Sequence, residues 1–151
     1  MNLPFILAYI GLGVMLALTC IGSTIGVTVG GNATIGAMKK NPNIFGSAML
    51  LCAIPSTQGL YGFASFFMLL FQLNGMDVLP LSQGLAICAS GIALGLVGLY
   101  SALQQASMIA NGVNEMANGN DVFGKTLILV VFPELYAILT FASTFLVLSL
   151  L

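Results

Sequence analysis

Among its 151 residues the chain has no histidine, no tryptophan, three Lys+Arg and four Asp+Glu. Each shortage closes off a class of protein. Charged residues make up 5% of the chain, where a water-soluble domain carries about a quarter, so there is too little polar surface to coat a compact body in water. A formal net charge of −1 supplies no basic face for gripping nucleic-acid phosphates or an anionic bilayer surface, which excludes nucleic-acid partners. The three cysteines, Cys20, Cys52 and Cys88, lie far apart in apolar runs. With no CxxC spacing and no histidine to complete a zinc set, they are expected to be buried small hydrophobes. What the chain has in abundance is oil: 59% hydrophobic residues and a mean hydropathy of +1.10. Lipid is its solvent, and the length is that of one domain.

Four apolar stretches, at about 4–36, 44–73, 81–113 and 122–151, each exceed the roughly 20 residues that span a bilayer. The predicted fold class is an all-α membrane protein with four transmembrane helices. Residues 1–20 resemble a signal peptide in apolarity, but they lack a basic leading region and the apolar run continues well past them, so the first helix is expected to be retained. Polar clusters at Lys39–Asn43, Asn74–Asp77 and Asn114–Asp121 read as short turns between antiparallel neighbours. Lys39, Lys40 and Lys125 flank the first and third turns. The positive-inside rule therefore places that side in the cytoplasm, with both termini and the Asp77 turn extracytoplasmic, in a multi-pass protein of the cell membrane.

The two halves repeat. A shift of 78 residues lays Phe45, Gly46, Pro55, Phe63 and Phe67 on Phe123, Gly124, Pro133, Phe141 and Phe145 without a gap, and Gly13 and Ser23 on Gly91 and Ser101. The repeat unit is a two-helix hairpin, residues 1–77 and then 78–151. Copies with an even number of crossings share one orientation, related by an axis along the membrane normal. Such an arrangement can continue around the axis into a closed ring. The first stretch carries Gly22, Gly26 and Gly30 at four-residue spacing, and the third carries Gly84, Gly91, Gly95 and Gly98, followed by Ala102, Ala106 and Ala110. Small residues at that spacing let helix backbones approach closely. The second and fourth stretches are rich in phenylalanine, which suits a tight inner circle of helices surrounded by a wider outer one.

Of the four acids, Asp77, Glu115 and Asp121 sit in turns or at helix ends, where water keeps them ionised. Glu134 does not. Thirteen positions past Asp121, it lies about 20 Å along a helix, near the bilayer centre, where an unpaired charge costs at least about 2.5 kcal/mol. With no basic side chain in the spans, its partner must be a proton or a metal cation. Counted from the turns, Gln105, Thr57 and Gln58 fall in the same layer, and Ile54, Thr57, Gln58 and Tyr61 share one helical face. A carboxylate, two amide oxygens and a hydroxyl at one level form an oxygen set of the kind a small hard cation takes. The cation expected is Na+, with H+ as the alternative. Gln104 is turned about 100° from Gln105, and periodicity does not decide between them. Pro55 and Pro133 each remove a helical hydrogen bond near this layer.

PSTQGLYGF (Pro55–Phe63) and FPELYAIL (Phe132–Leu139) resemble the second and fourth helices of the rotor-ring proteolipids of V-type ATPases, the K or c proteolipids of bacterial sodium-pumping members. The resemblance covers essentially the whole chain. It implies that Glu134 is the ion-carrying carboxylate, that Thr57, Gln58 and Gln105 supply side-chain oxygens, that Ile54 offers its backbone carbonyl and that Tyr61 hydrogen-bonds the carboxylate. Ser56, the repeat mate of Glu134, is not acidic, as in members with one ion site per two hairpins. The tandem Gln104-Gln105 departs from the single glutamine of the pattern. The implied function is that of a non-catalytic rotor protein that carries Na+ through the membrane, coupled to ATP hydrolysis or synthesis in other subunits. Its partners would be identical copies in a ring, a stator membrane subunit bearing a basic residue, and a central stalk at the cytoplasmic turns. A small secondary transporter and a structural channel are the rival classes. The first would transport when reconstituted alone, and the second would show no saturable cation protection of Glu134.

Overall fold

The computed structural model describes residues 2–149 and 151; Met1, at the start of the first hairpin, and Leu150, in the fourth apolar stretch, lie outside the described residues. The described residues form helices α1 (Leu3–Met38), α2 (Phe45–Ala53), α3 (Ser56–Leu73), α4 (Leu81–Ala117) and α5 (Phe123–Leu148), with a 3₁₀ turn at Pro42–Ile44. Taken with its 3₁₀ turn, the α2–α3 pair is one span, so four helical segments are long and apolar enough to cross a membrane. The expected all-α architecture of two tandem hairpins is what the chain adopts. At 1.5 Å per residue, the 36 residues of α1 and 37 of α4 reach about 54–56 Å, well beyond a hydrocarbon core of roughly 30 Å.

In lipid the hydrophobic effect does not drive helices together, so packing closeness decides the arrangement. The closest contact is α1 against α4, backbone on backbone. A methyl group at Gly22 would lie 2.7 Å from the Leu99 Cα, and one at Gly11 2.5 Å from the Cys88 Cα; at Gly91 it would overlap the Gly11 carbonyl. The α2–α3 span and α5 form a second layer, joined through α3 and α5, where the Tyr61 and Phe141 rings stack with centroids 5.2 Å apart. Phe63, Phe67, Phe71 and Leu139 point away from the bundle and are exposed, as lipid-facing side chains are.

Two apolar clusters cap the molecule's middle. One joins Ile44, Leu51, Ile109, Val113, Met116 and Val130 toward the lysine-bearing end. The other joins Leu12, Met15, Leu69, Leu73, Ile87 and Leu94 toward the opposite end. Lys40 Nζ donates to Asn118 Oδ1 at 3.2 Å, which ties the first and third turns to the same end of the bundle.

The structure corrects three expectations. Asn114, Glu115 and Met116 belong to the last turn of α4 and not to a loop, because Val113 and Met116 bury their side chains in the cluster beneath. The second stretch is broken at Ile54–Pro55, whereas Pro133 lies inside a continuous α5. Of the cysteines, Cys52 is buried, Cys88 half-buried and Cys20 exposed, since Cys20 stands on the flank of α1 that turns away from α4.

Candidate ion-binding site

Glu134 projects from the middle of α5 into the seam between α3 and α4 and is 8% exposed. Four side chains from two other helices converge on its carboxylate. From α4, Gln105 Nε2 donates to Oε2 at 2.6 Å. From α3, Gln58 Nε2 donates to Oε2 at 2.9 Å, Thr57 Oγ1 stands 3.0 Å from Oε2, and the Tyr61 hydroxyl donates to Oε1 at 2.5 Å. Gln58 and Gln105 are completely buried. Among the described residues no group of three or more His, Cys, Asp or Glu is gathered as a metal cluster, so the polar layer is a single carboxylate surrounded by neutral oxygens and amides.

The backbone breaks shape this layer. Proline at 55 has no N–H to give and stops α2 at Ala53. Around it the ladder tightens to i→i+3 bonds: Ile54 N–H to Leu51 O, Thr57 N–H to Ile54 O, and Gln58 N–H to Pro55 O. The tightened turn brings the Ile54 carbonyl within 2.9 Å of Thr57 Oγ1, so Ile54 reaches the carboxylate through Thr57. Around Pro133 the helix stays continuous, and two of its carbonyls also accept bonds from α4. Gln105 Nε2 donates to Val130 O at 3.1 Å, and Ser101 Oγ donates to Pro133 O at 2.8 Å.

Proton accounting shows where the layer is under-supplied. The Thr57 hydroxyl has one proton but two oxygens at hydrogen-bonding distance, Ile54 O at 2.9 Å and Glu134 Oε2 at 3.0 Å. Gln58 Nε2 has two protons and three acceptors: Glu134 Oε2, Ser101 Oγ at 3.1 Å and Gln105 Oε1 at 3.4 Å. Meanwhile Gln58 Oε1 is buried with no partner among the described residues. The layer is richer in oxygen than in protons.

All six residues singled out from the sequence, Ile54, Thr57, Gln58, Tyr61, Gln105 and Glu134, therefore meet in one place. Gln105 is the glutamine that points at the acid, whereas Gln104 lines an outward groove between α4 and α5. Ser101 and Phe141 were not anticipated. Ser101 orients both Gln58 and the Pro133 carbonyl, and Phe141 backs the Tyr61 ring. Ser101 could have been found from its position one helical turn before Gln105, on the same face. The remaining acids lie far from this layer: Asp77, Glu115 and Asp121 are exposed, and Glu115 accepts a bond from Asn120 Nδ2 at 2.6 Å.

The sequence model of one family, the C subunit of ATP synthase, matches the chain twice, at residues 10–69 and 88–147. The two matches are offset by the same 78 residues as the internal repeat. The A-type ATP synthase subunit K of Methanocaldococcus jannaschii is 38% identical over 135 residues, 89% of this chain; the chain spans 58% of that relative's length. The V-type sodium ATPase subunit K of Enterococcus hirae is 35% identical over 126 residues, covering 83% of this chain and 80% of the relative. A duplicated hairpin with one buried acid in the middle of its last helix, matched to one family in both halves, places the chain among the C subunits of ATP synthases, as a rotor-ring proteolipid.

Proposed function

We propose that this chain is the ring-forming rotor subunit of a rotary ATPase and that Glu134 carries one Na+ per copy across the membrane. The observation that supports the reading best is the convergence of Thr57, Gln58, Tyr61 and Gln105 on a single buried carboxylate. A bare carboxylate cannot sweep through lipid, whereas one carrying a cation is nearly neutral and can. Neutralisation of Glu134 is then the condition for each step of rotation.

Two features favour Na+ as the cargo. A half-turn of the Gln58 amide would exchange its nitrogen for the unpaired Oε1. The oxygens of Gln58, Gln105, Thr57, Ile54 and Glu134 then form a set suited to a hard cation. The Enterococcus hirae relative is a subunit of a V-type sodium ATPase. H+ is a second reading with its own observation: a protonated Glu134 donating to Thr57 Oγ1 would free the hydroxyl proton for Ile54 O and resolve the one-proton shortage there.

The chain itself carries out no ATP chemistry in this reading. A stator subunit with a basic residue displaces the ion from Glu134. A central stalk docks on the turns at Lys39–Asn43 and Asn118–Asp121, which face the cytoplasm, while both termini are extracytoplasmic. The membrane units are the hairpins 1–77 and 78–151. Carbodiimide labelling of Glu134 at constant pH tests the cargo. Na+ is expected to slow labelling saturably, and labelling that responds to pH but not to Na+ would assign the site to protons.

A further inference from the structure

Between α3 and α5, on the side of the Glu134 layer away from the lysines, Ser65 turns a buried hydroxyl into the seam. Ser65 is 2% exposed, and its Oγ has no hydrogen-bond partner among the described residues. Other serines on helices of this chain close onto a carbonyl three residues back: Ser56 onto Ala53 O, Ser90 onto Ile87 O and Ser149 onto Leu146 O. Ser143, the repeat mate of Ser65, does the same onto Thr140 O at 2.7 Å. Ser65 does not, which leaves its proton for something in the seam.

A small cavity lies there. It is lined by Ser65, Met68, Leu69, Thr144, Phe145 and Leu148, and gives the centre of a water-sized sphere about 10 Å³ to occupy. That is room for one water and for nothing larger. Thr144 is buried too. Its hydroxyl proton is spent on Thr140 O at 3.2 Å, so toward the cavity it offers lone pairs. One wall brings a proton and the other an acceptor. Two hydroxyls without a carboxylate are too few oxygens for a metal cation, whereas a molecule that both accepts and donates suits them.

We propose that this cavity binds a single water, which accepts from Ser65 Oγ, donates to Thr144 Oγ1 and so bridges the two hairpins. Its place in the seam gives the bridge a role. Among the described residues, every direct hydrogen bond between α3 and α5 ends on the Glu134 carboxylate. Ser65 stands one helical turn beyond Tyr61 on the same face, and Thr144 stands ten positions past Glu134, about 15 Å along α5. The water is therefore a polar link between the hairpins that does not run through Glu134. It holds α3 to α5 while the carboxylate changes partners, whichever ion it carries.

The assembled protein, purified with lipid and imaged at a resolution that shows ordered waters, is expected to show one between Ser65 and Thr144. Heat denaturation gives an independent reading, because the sign differs between the two cases. Removing a buried hydroxyl that has no partner is a gain, and removing one that is bridged is a loss. Ser65→Ala should lower the denaturation midpoint by a few degrees. Ser65→Ala with Thr144→Val should lose less than the two single variants together, since both break one bridge. The Ser65→Ala loss should be the same on the Glu134→Gln background. A dry cavity, a midpoint that holds or rises in Ser65→Ala, or full additivity with Thr144→Val overturns the site. An unequal loss on the Glu134→Gln background overturns its independence from the carboxylate. Carbodiimide labelling that refuted Na+ as the cargo would leave the water site standing.

Discussion

The two hairpins of this chain start from one pattern and end with opposite chemistry at the same height. Glu134 in the second hairpin is buried and receives four side chains, while its mate Ser56 is exposed and closes onto its own helix, donating to Ala53 O at 2.6 Å. The first hairpin supplies the donors Thr57, Gln58 and Tyr61, and the second supplies the acid and Gln105. Neither half holds both the carboxylate and its four partners alone. The prolines divide in the same way: Pro55 breaks its span and tightens the turn that carries Ile54 and Thr57, whereas Pro133 lies within a continuous helix whose carbonyls at Val130 and Pro133 also accept bonds from Gln105 and Ser101. A duplicated element can thus divide one polar site between its copies, with one buried carboxyl per pair of hairpins and not two.

The largest effect should come from removing the one charged member. Glu134→Gln keeps the shape and the amide-bonding layer but removes the exchangeable charge. Ion transport by the assembled complex should fall to background while the multimer remains intact by native mass measurement; retained pumping would show that the carrier lies elsewhere. Next comes the oxygen set proposed for the ion. Gln105→Leu removes an amide oxygen proposed to face the ion, a contact to a charged group of about 1.5–3 kcal/mol, so the Na+ concentration that protects Glu134 from carbodiimide should rise roughly ten- to a hundredfold. Equal protection in the variant would remove Gln105 from the site.

The prolines sharpen the contrast further. Pro55→Ala lets α2 and α3 fuse, restores a hydrogen bond worth about 1 kcal/mol and draws the Ile54 carbonyl into the helix; Na+ protection should weaken roughly fivefold. Pro133→Ala should change it by less than about twofold, because the neighbouring carbonyls keep their side-chain partners. Equal effects would deny the two breaks their different roles. The smallest change is expected from Ser56→Glu. The introduced carboxyl stands on an exposed position of α3, turned about 100° from Thr57, so its carbodiimide labelling should not respond to Na+ at all.

Much of the site is legible in the sequence alone. A lone acid in an apolar run, with glutamines and a threonine the same distance from their turns, is a depth argument that needs only 1.5 Å per residue. It brings Glu134, Gln105, Thr57 and Gln58 to one layer. Depth leaves the angle around the helix undetermined, which is why Gln104 and Gln105 could not be told apart. Nor does it show contacts made through a third group, which is why Ser101 was missed. Asn114–Met116 read as loop because asparagine favours turns in isolation, but burial of Val113 and Met116 outweighs that preference. Cys20 was expected inside because small apolar residues usually are. In a chain that meets lipid and sister surfaces, apolarity no longer separates inside from outside.

The sequence by itself determined the solvent, the four spans, the duplication and the height of the single charge, since these follow from hydropathy, residue rise and an ungapped repeat. Only the tertiary structure decided which face of each helix turns inward, which glutamine and which hydroxyls meet the carboxylate, and how two repeated prolines come to behave differently. Those outcomes depend on packing between helices far apart in the chain. There a fraction of a turn, set by where glycine lets one backbone touch another, moves a side chain from the site to the lipid.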